Sequence, residues 1–316
     1  MQIDNRAYSS YNTPFFTSYK SAFTKKLDDM LACKNYTQED IVEITDKANK
    51  IIENCIDEEH FLGKGSLGSV YKIDSKYVIK LPFWTNKLGD FRILPNKFPS
   101  LETYYGGEVA DFGLVKILRS VSPDGKHDTV GVPYSYAKTH NYREFSRYYE
   151  EVSFPRIMNI PQESFDKLAS DCAKLNKMNG YTFDYINPNN FVLVGDEIRV
   201  VDSIISTLCF NNNSIANLMR PFIWAEGVGV EAAFSQTLLE PRRDIFKKIV
   251  LAGMRHDLPV VSGGSEYVLE EVFELLCRAN TKTQKFTKQL EKIKQDFPDV
   301  KERLECTRQY LETIWE

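Results

Sequence analysis

The sequence predicts an α+β protein in which a small antiparallel sheet comes early in the chain and helices follow it. Three observations support this fold class. Strand-like alternation with polar turns is concentrated between about residues 60 and 138. Apolar residues at helical spacing dominate before and after that region. At 316 residues, 42% of them hydrophobic, the chain is too long for one small domain, which favours two lobes.

The composition argues against several classes of function. A net charge of −4 provides no global basic field for nucleic acid. No apolar run approaches the ~20 residues that span a bilayer, and residues 1–20 lack a signal-peptide pattern. Four histidines and cysteines without a C-x-x-C pair argue against zinc and favour a reduced, cytoplasmic setting. The six cysteines are Cys33, Cys55, Cys172, Cys209, Cys277 and Cys306.

The first half of the chain divides into two predicted regions. Residues 1–58 are expected to form a helical extension, with a helix start at Thr37. Residues 59–140 should form the small sheet-bearing lobe. Its elements are a hairpin across Val70 to Leu81, a short helix near 99–105, and two strand-like runs at 109–121 and 127–138.

The second half is predicted to be mainly helical. Residues 141–280 form the larger lobe, and residues 281–316 form a C-terminal helical pair that Pro298 separates. An amphipathic helix is expected over 161–179, because its apolar residues recur at helical spacing. A second hairpin should follow over 191–202, turning at Gly195. The apolar face of the helix consists of Phe165, Leu168, Ala169, Cys172 and Leu175.

A glycine-rich loop lies at the start of the sheet region. The stretch "GKGSLGSV" fits G-x-G-x-x-G-x-V, and glycines let a backbone approach phosphates closely. The motif opens a strand rather than a helix, unlike a dinucleotide-binding loop, and the returning strand carries Lys80. An ordinary glycine hairpin with a surface lysine is the alternative. The proposed nucleotide-binding residues are Gly63, Lys64, Gly65, Ser66, Gly68, Val70 and Lys80.

The segment "LGKGSLGSVYKI…YVIK" resembles the first three strands of the protein kinase fold. The resemblance implies a two-lobed kinase-like fold that binds ATP with Mg²⁺ or Mn²⁺, and it gives Lys80 the role of contacting the α- and β-phosphates. The acidic partner of this lysine is expected at Glu102, with Glu108 as the alternative and a solvated surface carboxylate equally open.

The resemblance continues in "YTFDYINPNNFVLVGDEIRVVDSI", which follows the amphipathic helix. It implies that Asp184 orients or deprotonates the attacking hydroxyl, while an asparagine and Asp202 hold the metal. The family's usual spacing selects Asn189, whereas the Pro-x-Asn pattern and the following strand select Asn190, which we favour. An Asn-rich turn before a hairpin is the alternative reading of this segment.

The triplet Asp111-Phe-Gly113 looks like a kinase metal-binding motif but stands too early. Asp111 comes only 31 positions after Lys80, before the helical lobe, in a stretch with strand-like alternation. We therefore predict that Asp111 is a polar residue at a strand edge and binds no metal.

The sequence departs from the family at several points. Thr182-Phe-Asp184 replaces H-R-D, Ser203 follows Asp202 where phenylalanine is usual, and no A-P-E segment follows. These features resemble divergent phosphotransferases and secreted bacterial effector kinases. The resemblance to effector kinases implies a serine/threonine-protein kinase whose substrate is a protein, including a host protein. It also implies that the enzyme acts in the cytoplasm, or in a host cell after secretion as a virulence factor.

Three alternatives remain open. They are a small-molecule kinase of the aminoglycoside-phosphotransferase type, an AMP-transferring enzyme of the same fold, and a catalytically inactive pseudokinase that binds a partner. The substrate, any activating cofactor and the oligomeric state are left open by the sequence.

Overall fold

The structure, a computed structural model, describes 59–64, 68–82, 101–103, 108–111, 116–122, 127–177, 181–201, 203–205, 213–224, 239–262, 265–277, 284–299, 302–303, 305–307 and 309. The chain divides into two units: Met1–Phe98 with Tyr105–Lys126, and Pro99–Tyr104 with His127–Glu316. The predicted extension over residues 1–58 lies outside the described residues. The longer segment of the second unit begins at His127, whereas the sequence analysis placed the lobe boundary at residue 140.

The first unit holds a five-stranded antiparallel sheet in the order β1-β2-β3-β5-β4. Its strands are β1 (Phe61–Lys64), β2 (Gly68–Lys72), β3 (Tyr77–Pro82), β4 (Glu108–Asp111) and β5 (Lys116–Arg119).

The hairpin predicted across Val70 to Leu81 is confirmed, because β2 and β3 pair antiparallel with Val70 opposite Lys80. Its turn is closed by Asp74, whose Oδ1 accepts from the backbone N–H groups of Lys76 and Tyr77 at 2.6 and 2.9 Å. The period-two pattern of the strands buries one face. Tyr71 and its register partner Ile79 lie in the core of this unit.

The run at 109–121 forms two strands rather than one. Strands β4 and β5 pair antiparallel, with Asp111 opposite Lys116. The sequence between them contains Gly113, a residue that favours turns. Asp111 is the last residue of β4, the outermost strand in the sheet order, so the prediction of a strand-edge position is confirmed.

The run at 127–138 is mainly not a strand, and this prediction was wrong. Only β6 (Asp128–Thr129) is extended, and it pairs with Leu193 and Val192 of the same unit. Pro133 caps the helix that follows. Since proline has no N–H to donate to a strand and its φ suits a helix start, the apolar alternation was misleading there.

The second unit is built mainly from helices. The helix predicted at 161–179 is confirmed as Gln162–Lys177, and all the residues expected on its apolar face are buried. A helix also forms across "NYREFSRY", capped by Asn141 and Glu144 in a capping box. The helices are α1 (Tyr134–Thr139), α2 (Tyr142–Tyr148), α3 (Phe154–Met158), α4 (Gln162–Lys177), α5 (Ile215–Met219), α6 (Leu239–Arg255), α7 (Glu266–Cys277) and α8 (Gln284–Asp296), with π-helical turns at Tyr149–Ser153 and Arg220–Trp224.

Two small antiparallel sheets lie in this unit. One has the order β6-β8-β9, and the other pairs β7 with β10. The predicted second hairpin is confirmed as β8 and β9, joined at Gly195, whose φ of +61° suits the first position of a two-residue hairpin turn. The bounds are β7 (Tyr181–Phe183), β8 (Phe191–Val194), β9 (Glu197–Val200) and β10 (Ser203–Ile205).

An aromatic cluster packs beneath the second hairpin. Phe222 lies edge-on to Phe165 and to Phe191, with ring centroids 5.2 and 5.5 Å apart. Tyr185 stacks on Phe191 at 5.6 Å. All four rings are buried, and burying each one stabilises the fold by about 1.5–3 kcal/mol. The loop before the hairpin therefore packs against a buried aromatic cluster.

The predicted α+β class is confirmed, with a small antiparallel sheet early and helices later. Two finer expectations had different outcomes. Residues 101–103 are irregular rather than helical. At the C-terminus, the described residues from 302 to 309 are helical again after Pro298, and Asp299 Oδ1 caps them by accepting from Glu302 N. None of the helices in the described ranges is long and apolar enough to cross a membrane.

Candidate functional site

The glycine motif forms a hairpin, as its sequence context predicts. Gly63 and Lys64 end β1, Gly68 begins β2, and Lys64 pairs with Ser69. A Cβ added at Gly63 would meet no atom of the described residues within 4 Å, so those residues supply no steric reason for glycine at this position. Gly65 and Ser66 lie outside the described residues.

Lys80 lies on β3, the middle strand of the five. Its register partners are Val70 on one side and Lys116 on the other. The residue is neither fully buried nor fully exposed. The predicted nucleotide-binding residues Gly63, Lys64, Gly68, Val70 and Lys80 therefore come from three adjacent strands of one sheet.

Glu102 belongs to the short segment of the second unit that interrupts the first. Its carboxylate lies 3.8 Å from the Lys174 amine on α4, and the two side chains are exposed by 55% and 37%. Such a solvent-exposed pair contributes little stability. The role of Glu102 as the partner of Lys80 stays a prediction, as does the alternative at Glu108.

The segment around Glu102 is held firmly by its neighbours. The buried carboxylate of Asp171 on α4 accepts from Thr103 N at 2.7 Å and from Thr103 Oγ1 at 2.8 Å. Val200 N, at the end of β9, donates to Thr103 O at 2.7 Å, and the Arg199 guanidinium donates to Glu102 O. The segment thus joins α4 to the last residues of the second hairpin.

Asp184 and Asn190 lie in direct contact. Asn190 Nδ2 donates to Asp184 Oδ2 at 2.9 Å and to the Asp184 carbonyl at 3.2 Å. Asp184 Oδ1 accepts from Ile186 N at 3.1 Å. Because the Asn190 amide group turns its N–H atoms toward Asp184, its oxygen lies on the other side. None of the described residues donates a hydrogen bond to that oxygen.

The neighbouring Asn189 has different surroundings. Its Oδ1 is buried and has no hydrogen-bond partner in the part of the chain that the structure describes, and a Cβ built on Gly131 would approach it to 2.5 Å. Both asparagines belong to a single 3-10 turn, Pro188–Asn190, which Asn187 caps by accepting from Asn189 N at 3.0 Å. The turn directs Asn190 toward Asp184 and packs Asn189 against Gly131.

Asp202 itself lies outside the described residues, but both of its chain neighbours are described. Val201 N donates to Asn190 O at 2.9 Å. Ser203 pairs in register with Phe183, the residue before Asp184. The backbone on either side of Asp202 is therefore attached to the same loop that carries Asp184 and Asn190.

Several polar residues next to this loop were missed by the sequence analysis. The buried Asn213 Oδ1 accepts from Thr182 Oγ1 at 3.0 Å, Phe183 N at 3.3 Å and Tyr185 OH at 2.6 Å. Tyr185 OH also lies 3.1 Å from Cys172 Sγ on α4. The sequence signal at Asn213 was an Asn-Ser helix start, which predicts a cap but no long-range partner.

Burial governs the electrostatics of this network. It raises the pKa of the Cys172 thiol well above its usual range, although the hydrogen bond with Tyr185 acts in the opposite direction. Burial also raises the pKa of Tyr185 well above its usual value, and the neighbouring Cys172 adds to that effect. Both groups are therefore neutral at physiological pH, and the network beneath the loop carries no charge of its own.

One donor atom at the loop is of a type that hard divalent cations accept. The amide oxygen of Asn190 is a ligand that Mg²⁺ accepts, and Mg²⁺ usually completes its shell with waters and substrate phosphates. Among the described residues, no group of three or more His, Cys, Asp or Glu side chains could hold a metal by itself. A cation at this loop would need further ligands from water or from a phosphate-bearing ligand.

Comparisons with known proteins give no match. No family model, curated protein or solved structure matches the chain significantly.

Proposed function

We propose that the chain is an ATP-dependent phosphotransferase with a two-lobed, protein-kinase-like fold. The observation that carries the proposal is the contact between Asp184 and Asn190 at the start of the second hairpin. A carboxylate and an amide at this position, followed by Asp202 at the end of the hairpin, are the residue types that phosphoryl transfer requires. A glycine hairpin with Lys80 on the third strand adds the expected phosphate-binding elements.

The residues would divide the reaction between them. Asp184 accepts the proton of an acceptor hydroxyl while that oxygen attacks the γ-phosphorus of ATP. The bond from the γ-phosphorus to the bridging oxygen breaks, and ADP leaves. Lys80 contacts the α- and β-phosphates, and Asn190 with Asp202 would hold Mg²⁺ or Mn²⁺, which neutralises charge on the phosphates. The proposed acceptor is a hydroxyl group of a protein, and the resemblance to effector kinases favours a host protein as that substrate.

The test uses γ-labelled ATP with Mg²⁺ or Mn²⁺ and dephosphorylated casein as the acceptor. The wild type should transfer label, and Lys80→Ala, Asp184→Asn and Asp202→Ala should each lower the rate by about 100-fold or more. Asp111→Ala is the matched control, since Asp111 belongs to the misleading triplet at the edge of the sheet, and it should retain most activity.

Equal label in all variants would refute the site assignment. A parallel reaction with α-labelled ATP separates phosphate transfer from AMP transfer, because only AMP transfer leaves the α-label on the acceptor. A wild type that transfers neither label contradicts the proposal and leaves the partner-binding pseudokinase as the better reading.

A further inference from the structure

A buried asparagine outside the kinase-like motifs forms hydrogen bonds to the residues on both sides of Asp184. Asn213 is 0% exposed and immediately precedes the N-cap of α5, Ser214. A buried amide must satisfy both its N–H groups and its oxygen, so its partners define its orientation closely. Partners of Asn213 lie on β7, on the loop that follows β7, and on the helix α4.

The oxygen of Asn213 accepts hydrogen bonds from β7 and from the loop that follows it. Its three donors are Thr182 Oγ1, Phe183 N and Tyr185 OH, at 3.0, 3.3 and 2.6 Å. These residues stand directly on both sides of Asp184 in the chain, while the Asp184 carboxylate takes its bonds from Asn190 and the backbone. Asn213 therefore holds the backbone that flanks the candidate base.

The other side of the Asn213 amide is attached to α4. Asn213 Nδ2 and Asn213 N donate to Asn176 Oδ1 at 3.0 and 2.8 Å, and Asn176 Nδ2 donates back to Asn213 O at 2.9 Å. This reciprocal pairing determines which end of the Asn213 amide faces the loop. An aspartate there could accept from the loop but could not donate to Asn176.

We propose that Asn213 is a positioning residue for phosphoryl transfer, and that it acts by keeping the Asp184 backbone in the orientation that the reaction needs. The inference rests on the proposed function. Misplacing a reacting group by about 1 Å costs on the order of 100-fold in rate, so loosening this loop should slow the chemical step and leave ATP binding largely unchanged.

Asn217 provides a matched control for the variant. It lies one turn further along α5, is 1% exposed, and its Nδ2 donates to Ser262 Oγ at 2.9 Å. Asn213→Ala and Asn217→Ala therefore both remove a buried amide from the same short segment. Only the first removes the bonds to residues 182–185.

The test measures kcat and the KM for ATP with γ-labelled ATP, Mg²⁺ and dephosphorylated casein, on variants shown to be folded. We expect Asn213→Ala to lower kcat by about 10- to 100-fold with the KM for ATP within about threefold of wild type. Asn217→Ala should lower kcat by less than about threefold. Hydrogen exchange of the peptide covering 181–190 should accelerate in Asn213→Ala alone.

Two milder variants keep the inference testable if Asn213→Ala does not fold. Thr182→Val and Tyr185→Phe each remove one donor to Asn213 while keeping the side-chain shape, and each should lower kcat by about three- to tenfold. If Asn213→Ala, Thr182→Val and Tyr185→Phe have kcat values equal to that of the wild type or of Asn217→Ala, the positioning role of Asn213 is overturned and the proposed function is not affected. A wild type without any phosphate transfer overturns the proposed function and this inference together.

Discussion

Asn190 donates from one amide nitrogen to both the side chain and the backbone carbonyl of Asp184, at 2.9 and 3.2 Å. The second contact ties the orientation of Asn190 to the backbone of the loop, so it persists when the carboxylate is altered. The pairing distinguishes Asn190 from Asn189, which the sequence left as alternative metal ligands.

The two asparagines should therefore differ sharply in a mutational test. Asn190→Ala removes the contact with Asp184 and the proposed metal ligand, and should lower phosphate transfer from ATP by about 100-fold. Asn189→Ala removes a side chain packed on Gly131 and should keep the rate within about threefold. Initial rates over a series of Mg²⁺ concentrations measure both effects. A larger loss in Asn189→Ala than in Asn190→Ala would reverse the assignment.

Gly131 is predicted to tolerate no side chain. A Cβ there would meet Asn189 Oδ1 at 2.5 Å and Pro188 Cβ at 3.1 Å, so Gly131→Ala should destabilise the second unit by about 1–3 kcal/mol. Displacing these residues also moves the turn that carries Asn190, and activity should fall as well. Urea unfolding followed by tryptophan fluorescence and circular dichroism measures the stability.

Gly63→Ala is the matched control for this substitution. Because none of the described atoms lies within 4 Å of the added Cβ, we expect a change of stability within about 1 kcal/mol in either direction. Equal destabilisation by the two substitutions would show that the contact at Gly131 does not decide the result.

The hydrogen bond from Thr103 to Asp171 should contribute measurably to stability. Thr103→Val keeps the shape of the side chain but removes a 2.8 Å bond to a fully buried carboxylate, a loss of about 1.5–3 kcal/mol in the free energy of unfolding. Thr139→Val removes two exposed hydrogen bonds, one to Tyr136 O at 3.2 Å and one with His140 Nδ1 at 2.8 Å, and should cost less than about 0.5 kcal/mol. Similar losses in both variants, measured by urea denaturation, would contradict the inference that burial makes the difference.

Local patterns in the sequence predicted the elements that carry the candidate site. The apolar period of α4 and the Gly195-Asp196 turn are signals within a few residues, and both elements formed where expected. The α+β order was predictable for the same reason. The strand predicted at 127–138 did not form because apolar alternation does not reveal a helix start, and Pro133 is the N-cap residue of α1.

The contacts that hold the site could not be read from local patterns. Asn213 and Tyr185 are bonded across 28 positions, and Thr103 and Asp171 across 68. A lone asparagine or aspartate in a sequence most often caps a turn or lies at the surface, and its burial depends on helices that pack from elsewhere. The exposed contact between the Glu102 carboxylate and Lys174 was not predictable for the same reason, and the role of Glu102 as the partner of Lys80 stays a prediction.

The buried network beneath the loop makes alkaline stability depend on Cys172 and Tyr185. Burial raises the pKa of both groups in the folded chain, so they stay neutral there at pH values where the unfolded chain loses their protons. The unfolded chain then binds fewer protons than the folded one, and stability falls as pH rises. The loss begins near the unfolded thiol pKa of about 8.5, increases above the tyrosine value of about 10, and continues toward the raised pKa values of the folded state.

Cys172→Ala and Tyr185→Phe should each remove part of this pH dependence. Between pH 7 and 9.5 the wild type should lose about 1 kcal/mol more than Cys172→Ala, because the variant has no thiol to titrate at this position. Tyr185→Phe should diverge from the wild type only above about pH 10. Urea unfolding at a series of pH values gives the free energies, and titrations elsewhere in the chain cancel in the comparison. Wild-type and variant curves that stay parallel up to pH 10.5 would show that the two groups are not buried as a neutral pair.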